Sequence, residues 1–505
     1  MQLVALSRWR RLVAIAFSFA LLVAVMPTAP AGATHTPGPA LITLNVGGTV
    51  TPIIDVGQTH DDLLFEGLPD GIGVRPGPDE GTVDVYVTHE QTTVPFFGSS
   101  DFQDASVSKL TLDVATNTIN SAEVALGPEN GYLRFCSASM AGPAEGFSTY
   151  TLFANEETDD IVDVPAGAPY GPDPGLAGQR QGGYVVVLDT DTGEFTQVAG
   201  MGRHNHENTI AVPGYNQLAM LSTDDTFNAP SSQLYLYLAN HESHVWQDKG
   251  SLWAFQVTEA NGKKVTPTDP FNGANDYLDL VPGDEFAGKF IRVPKQIARG
   301  TTGEAPQAAL EEWSNDNNVF QFIRLEDLAY DKNDPHTIYI ADTGQSRIAP
   351  DPDTGRLERI GTSTGLADNG RVFKMVMNDN NPRKVDSLTV LAQGDNDGLD
   401  DFVGFTNPDN MDTSANSLMV QEDADDAQIW QYKFSDGSWT AVANVVDAGG
   451  ESSGIVDVSE WYGEGHWLLD VQAHDFDFVD EELQPDGTLL KREAGQLLHM
   501  YIPGS

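Results

Sequence analysis

Apolar and polar residues alternate with a period of two along most of the chain, and the alternating runs are rich in β-branched and aromatic side chains. Bounded by Gly, Pro, Asn and Asp, such runs predict half-buried strands. They fall at Val83–Thr88, Lys109–Val114, Ser148–Ala154, Tyr184–Asp189, Gln217–Ser222, Gln233–Leu238, Ser251–Val257, Thr337–Ala341, Arg371–Met377, Leu418–Gln421, Ile429–Phe434, His466–Gln472 and Gln496–Ile502. Asp189–Glu194 (DTDTGE), Glu259–Lys264 (EANGKK) and Ser435–Ser438 (SDGS) carry the residues of tight hairpin turns. Helical periodicity is scarce, and Ala305–Ser314 is the best candidate. So many short strands predict an all-β fold with loop insertions, a β-propeller ahead of a large sandwich. No repeat is tight enough to count blades. Three segments nevertheless share a cadence of acidic turn and strand ending in acid: EDLAYDKNDPHTIYIADTG, PDNMDTSANSLMVQED and NQLAMLSTDD. The inner strands of a propeller converge on its axis, so acids at their ends are expected around one central site.

Composition adds a compartment. Arg8, Arg10 and Arg11 precede an apolar run, Leu12–Met26, and Ala31-Gly32-Ala33 reads as a cleavage site. The run is shorter than a spanning helix needs. Residues 1–33 are therefore expected as a cleaved signal peptide and 34–505 as a single propeller domain, soluble and secreted or periplasmic. The Arg10-Arg11 pair leaves the export route open between general secretory and twin-arginine. The single cysteine, Cys136, excludes an internal disulfide. A lone thiol in an oxidising compartment is either buried and inert or a ligand or nucleophile.

The formal net charge is −47, and losing three leader arginines and no acid takes it to about −50. That field repels nucleic acid and anionic lipid. It suits a chain that binds divalent cations or stays dissolved in high salt. An anionic substrate would need a local positive site.

The candidate chemistry lies at strand ends. Met201–Asp225 packs Arg203, His204, His206 and Glu207 together and then runs through apolar chain to Asp224-Asp225. Such a cluster binds metal or an anion, or is a surface ion pair beside two loop histidines. His89-Glu90 ends another strand. Cys136 precedes a Gly/Pro/Ser-rich loop and a strand ending in Glu156-Glu157. Adjacent carboxylates repel unless solvated or joined by a cation; hard cations favour carboxylate oxygens and a thiolate favours transition metals. In Phe322–Asp327 (FIRLED), Arg324 and Glu326 stand two apart, on one face of a strand. A guanidinium beside a metal-binding carboxylate can grip phosphate, although a cross-strand ion pair has the same pattern. Gly394–Asp401 (GDNDGLDD) lacks EF-hand spacing, and Gln421–Asp426 (QEDADD) is a second acidic turn. Asp457, Glu464, Asp470, His474 and Asp475 form a late acidic and His-bearing region. No G-x-S-x-G elbow, H-E-x-x-H, Walker loop or Rossmann fingerprint is present.

This ordered set resembles the PhoX-type alkaline phosphatases, exported proteins that carry a Cys, a Gly-rich loop and a strand ending in Glu-Glu. The family then has a G-R-F-x-H-E segment with a downstream Asp-Asp, an R-P-E-D segment and a late strand ending in acid. Here these are Cys136, Glu156-Glu157, Gly202–Glu207 (GRHNHE), Asp224-Asp225, Arg324–Asp327 (RLED) and Gln421–Asp423, over roughly Ile53–Pro503. The resemblance implies a six-bladed propeller with an axial iron and calcium cluster. It implies Cys136, Glu207 and Glu326 as iron ligands and Glu156, Glu157, Asp224, Asp225, Glu422 and Asp423 as calcium ligands. Arg324 would grip the phosphate. Phe135 stands for the family's Asn, His204 for its Phe and Leu325 for its Pro, and the loop after Cys136 lacks the family's T-P-W-G run. These departures spare the ligand types and fall on the residues around them. The expected function is an exported metal-dependent phosphomonoesterase acting on a phosphate ester, as a monomer. The alternative is a non-catalytic, calcium-stabilised extracellular propeller for binding or adhesion.

Overall fold

The computed structural model describes residues 36–505, apart from 165–166, 227–229, 231, 366, 396–401 and 447–448 and the side chains of 475–477. The expected leader, most of the GDNDGLDD turn and the Asp475 side chain lie outside the described residues. The predicted strands are all present, often a residue or two longer, and the predicted helix is Pro306–Asp316.

Strand pairing sorts the chain into six four-stranded antiparallel blades. Blade one runs Pro69–Pro76, Thr82–His89, Ser106–Asp113 and Ile119–Leu126 from the axis outward. Blade two runs Phe135–Ala141, Thr151–Glu156, Val185–Asp189 and Phe195–Gln197. Blade three is His206–Ala211, Leu218–Asp224, Tyr235–Ala239 and Ser251–Ala260, and blade four Leu325–Asp331, Asp334–Asp342, Arg371–Asn378 and Asn381–Gln393. Their outer edges are joined by Phe286–Arg292, which pairs with both. Blade five is Pro408–Thr413, Ser417–Glu422, Gln428–Lys433 and Trp439–Val445, and blade six begins Glu451–Asp457, His466–Leu483 and Leu489–Tyr501. The outer strand of blade six is the early segment Thr49–Asp55, and Ile42–Leu44 adds to the edge of blade five. The two earliest described strands thus close the ring against the two latest blades.

Each inner strand packs on the next, and the sixth returns to the first. The wedges between blades hold the apolar side chains that the period-two alternation supplied. Ile72, Val74, Val85 and Val87 meet Leu468 and Leu497 between blades one and six. Met419 and Ile429 meet Leu469 and Val471 between blades six and five. Odd and even positions of one strand therefore face different neighbours, as strand geometry requires. The inner strands come close enough to need glycine: a Cβ at Gly71 would lie 1.8 Å from the Ala138 nitrogen. Beyond their first residues, the inner strands line a channel cavity of about 630 Å3.

Candidate metal centre

Five of the six inner strands share one irregularity. Their pairing register shifts just after the first residue, between Pro69 and Ile72, Phe135 and Ser137, His206 and Thr209, Leu325 and Leu328, and Pro408 and Met411. A bulge re-aims the side chains around it. The residues inside these bulges include Asp70, Cys136, Glu207, Glu326 and Asp409; in blade six the strand opens on Glu451. Each blade so contributes one thiol or carboxyl at the same end of the channel. The second strands add Glu90, Glu157, Asp225 and Asp423, each one residue past its strand.

These side chains form a string of overlapping groups whose ligand atoms lie within 4.8 Å of one another: Asp70, Glu90 and Cys136; Cys136, Glu157 and Glu207; Glu207, Glu326 and Asp409; Asp409, Asp423 and Glu451. Cys136, Glu207 and Asp409 each belong to two groups. Glu207 is 1% exposed, and neither of its carboxylate oxygens has a hydrogen-bond partner. A buried carboxylate without donors is costly unless it is protonated or meets a cation. Burial, and then the neighbouring acids, raise the carboxyls of Asp70, Glu157, Glu207, Glu326, Asp409 and Glu451 well above the usual range. Burial and the adjacent Glu207 also push the Cys136 thiol up. The set fits cations: the groups containing Cys136 offer the thiolate that a transition metal favours, and Asp409, Asp423 and Glu451 offer the all-oxygen set of a hard ion.

Cationic side chains flank the string. Arg324 donates through Nε to Asp225 at 2.9 Å and lies 3.5 Å from Glu326. Arg134 reaches Thr158 at 2.9 Å and pairs with Asp160. Burial works against a charge on His474, but Glu451 at 3.2 Å and Glu493 at 2.6 Å push its pKa up to about 12.

The structure separates the members of each expected acid pair. Adjacent strand residues point to opposite sides, so the last residue of a second strand turns outward while the next faces the axis. Glu156 forms a fully buried ion pair with Arg180 at 3.1 Å and accepts the N–H groups of Leu133 and Tyr184. Glu422 accepts the N–H groups of Thr406 and Gln428 and the Trp430 indole, each at 2.8 Å. Asp224 accepts Thr226 at 3.0 Å and lies 3.6 Å from His204. These three expected calcium ligands stand outside the acidic groups. Glu157 and Asp423, one residue on, stand in them, as do Cys136, Glu207 and Glu326. Asp225 borders the string and is taken up by Arg324.

In the Arg203–Glu207 cluster only Glu207 faces the axis. Arg203 pairs with Asp173 at 3.0 Å and lies over the Tyr184 ring. His206 contacts Ser222 at 2.8 Å, and His204 lies against His206 with ring centroids 3.6 Å apart and planes tilted by 39°. Burial lowers the His204 pKa to about 3, so this imidazole is neutral and fills the place of an apolar residue. Of the late acidic region, Asp457 pairs with Lys332 at 2.8 Å and Glu464 accepts Asn416 at 2.6 Å. Asp470 is fully buried with both oxygens unpartnered.

Sequence reasoning missed Asp70, Asp409 and Glu451 and gave Glu90 little weight. Asp409 lay inside the cadence segment PDNMDTSANSLMVQED. Asp70 and Glu451 sit in Gly- and Ser-rich stretches that do not read as strands.

A search of curated proteins found no match. Among solved structures, the hydrazine synthase of Kuenenia stuttgartiensis is 10% identical with a TM-score of 0.36, covering 79% of this chain and 80% of that one. The NanB sialidase of Streptococcus pneumoniae is 8% identical with a TM-score of 0.41, covering 90% and 71%. At those values neither says anything of activity. The family model for alkaline phosphatase PhoX matches residues 150–457, more than half of the 505 residues, and the chain belongs to that family.

Proposed function

We propose that the chain is an exported phosphomonoesterase whose axial string of acids and Cys136 holds iron and calcium. The observation that carries this reading is Glu207: a buried carboxylate with no donor, shared by a thiolate-containing group and an all-carboxylate group. Cys136, Glu207 and Glu326 would hold iron. Calcium would lie among Asp409, Asp423 and Glu451, with Asp70, Glu90 and Glu157 completing the thiolate side. When bound, these cations polarise the P–O bonds of a phosphate ester and offset the charge on its equatorial oxygens.

The protein's own groups do the rest. Arg324, whose side chain is 20% exposed, is the phosphate grip, and Asp225 fixes the plane of its guanidinium from behind. Behind the ligands, Asp327 accepts the N–H groups of Leu328 and Met411 and the Asn208 amide, tying the inner strands of blades three, four and five together. That tie keeps Glu207, Glu326 and Asp409 in mutual register. The cations also supply the local positive charge that a chain near −50 needs to admit a phosphate dianion.

The leader and single-domain reading of 34–505 are part of the same proposal, as is action as a monomer; among the described residues no helix is long and apolar enough to cross a membrane. The test is hydrolysis of an aryl phosphate by the purified mature protein in Ca2+ and aerobic iron, with metal analysis of the same sample. Activity no greater than that of a Cys136→Ser, Glu326→Ala double mutant would sink the proposal. Calcium without iron, together with indifference to Cys136→Ala, would favour the non-catalytic propeller.

A further inference from the structure

The loop that leaves Glu90 on the metal-bearing face of blade one carries an exposed aromatic tip. Phe96 and Ser99 exchange both backbone hydrogen bonds, at 2.7 and 2.9 Å. Between them Phe97 and Gly98 have φ of 49° and 80°. Two consecutive positive φ values are the signature of a type I′ turn, whose first central position favours Asn, Asp or Gly. Phenylalanine there costs backbone strain. It also gains nothing from burial: Phe97 is 93% exposed and Phe96 58%, their ring centroids 4.1 Å apart.

The tip is firmly built. Residues 99–101 pair in parallel with Leu489–Lys491, and the Leu489 N–H donates to Gly98. Leu489 is in turn the partner of Leu483, which is 71% exposed at the end of the blade-six hairpin. Phe96 and Phe97 therefore project from this support as an exposed apolar edge, with Leu483 two strands away across the same sheet. Both supporting segments are rooted in the acidic string. One begins at Glu90; the other leads to Glu493, which holds His474 against Glu451. The chain from Glu90 to Phe96 spans no more than about 20 Å even when fully extended. Exposed apolar clusters of this kind mark contacts, and here the continuity with the acidic string selects the occupant.

We propose that this edge receives the apolar body of the substrate, so that the preferred phosphomonoesters are amphiphilic, with an alkyl or aryl chain behind the phosphate. The inference rests on the phosphatase reading and narrows its substrate class. A chain of charge near −50 gains little from a polar leaving group, whereas apolar contact is indifferent to that field.

The test uses the mature protein loaded with Ca2+ and iron, and the double variant Phe96→Ser, Phe97→Asn, in which asparagine suits the turn. Binding of decyl phosphonate and methyl phosphonate, neither hydrolysable at its P–C bond, is measured by calorimetry. The expected result is at least tenfold tighter binding of the decyl compound by the parent, lost in the variant, with methyl phosphonate affinity unchanged. Equal chain preference in parent and variant would overturn the proposal. So would variant-sensitive retention on phosphatidylcholine vesicles without a change in decyl phosphonate affinity, since the edge would then be a membrane contact. Failure to hydrolyse any phosphate, with the decyl preference intact, would defeat the catalytic reading and leave the apolar site standing.

Discussion

Arg324 and Asp225 meet across the boundary between blades three and four, with Nε donating to the Asp225 carboxylate at 2.9 Å while that carboxylate is fully buried. The pair sets a cation from one blade against the acid one residue past the second strand of another. Arg324→Lys keeps the charge and loses the planar fork. It is expected to lower kcat/KM for an aryl phosphate at least tenfold with little change in bound metal. Arg324→Ala is expected to lower it at least a hundredfold. Steady-state kinetics beside metal analysis checks both; unchanged kinetics in the Ala variant would remove Arg324 from the phosphate grip.

Glu207 should behave oppositely with and without cations. In metal-free protein its carboxyl is buried beside other acids, so Glu207→Gln should raise Tm or leave it unchanged. With calcium and iron the parent should gain about 4 kcal/mol if the free ion stands at a thousand times its Kd, and the variant should lose most of that gain. Calorimetric scans with and without chelator read the sign change. A variant destabilised equally in both conditions would make Glu207 merely structural.

The alternation at the end of the blade-two strand predicts a contrast between neighbours. Glu156→Ala leaves Arg180 buried and unpaired, which costs about 3–5 kcal/mol, and this loss should be the same with and without metal. Glu157→Gln should cost little in metal-free protein and weaken cation binding. Denaturant titrations in chelator and in Ca2+ separate the two; the reverse assignment would mean that the strand end is turned the other way.

His89 predicts an acid-side weakness. It is fully buried between Gly67 and Ser108, and burial lowers its pKa from 6.5 to about 4. The unfolded chain therefore takes up the proton first. The stability contribution is complete above about pH 7 and is lost as pH falls from 6.5 towards 4, a total of about 3 kcal/mol. His89→Gln cannot protonate, so the parent should lose that much more stability than the variant between pH 7 and 4. Parallel slopes in urea unfolding across that range would contradict the assignment.

The middle and outer strands were readable because they are what alternation describes: one face in each interblade wedge, regular pairing and ordinary hairpin turns. The inner strands escaped for a physical reason. Pro69–Pro76 (PDGIGVRP) and Glu451–Asp457 (ESSGIVD) carry glycine where neighbouring strands approach closely, and acids where the strands open on the axis. Five of the six also bulge near their first residue, which breaks the period. The repeat was hidden as well by unequal loops, since blade two inserts Glu157–Tyr184 where blade five needs only Asp423–Ala427. Residue types located Cys136, Glu207 and Glu326 through the family pattern. They could not choose between Glu156 and Glu157, or between Glu422 and Asp423, because that choice is made by register.

Closing the ring with Thr49–Asp55 against Leu489–Tyr501 has a kinetic consequence. Asp70 of the first blade and Glu451 of the last become neighbours on the ring only after nearly the whole chain has been made. A growing chain can therefore assemble the Glu207, Glu326 and Asp409 group well before the string is complete. On the proposed function that group could take up a cation before the ring closes, whereas the two ends of the string, Asp70 and Glu451, come together only with the final hairpin.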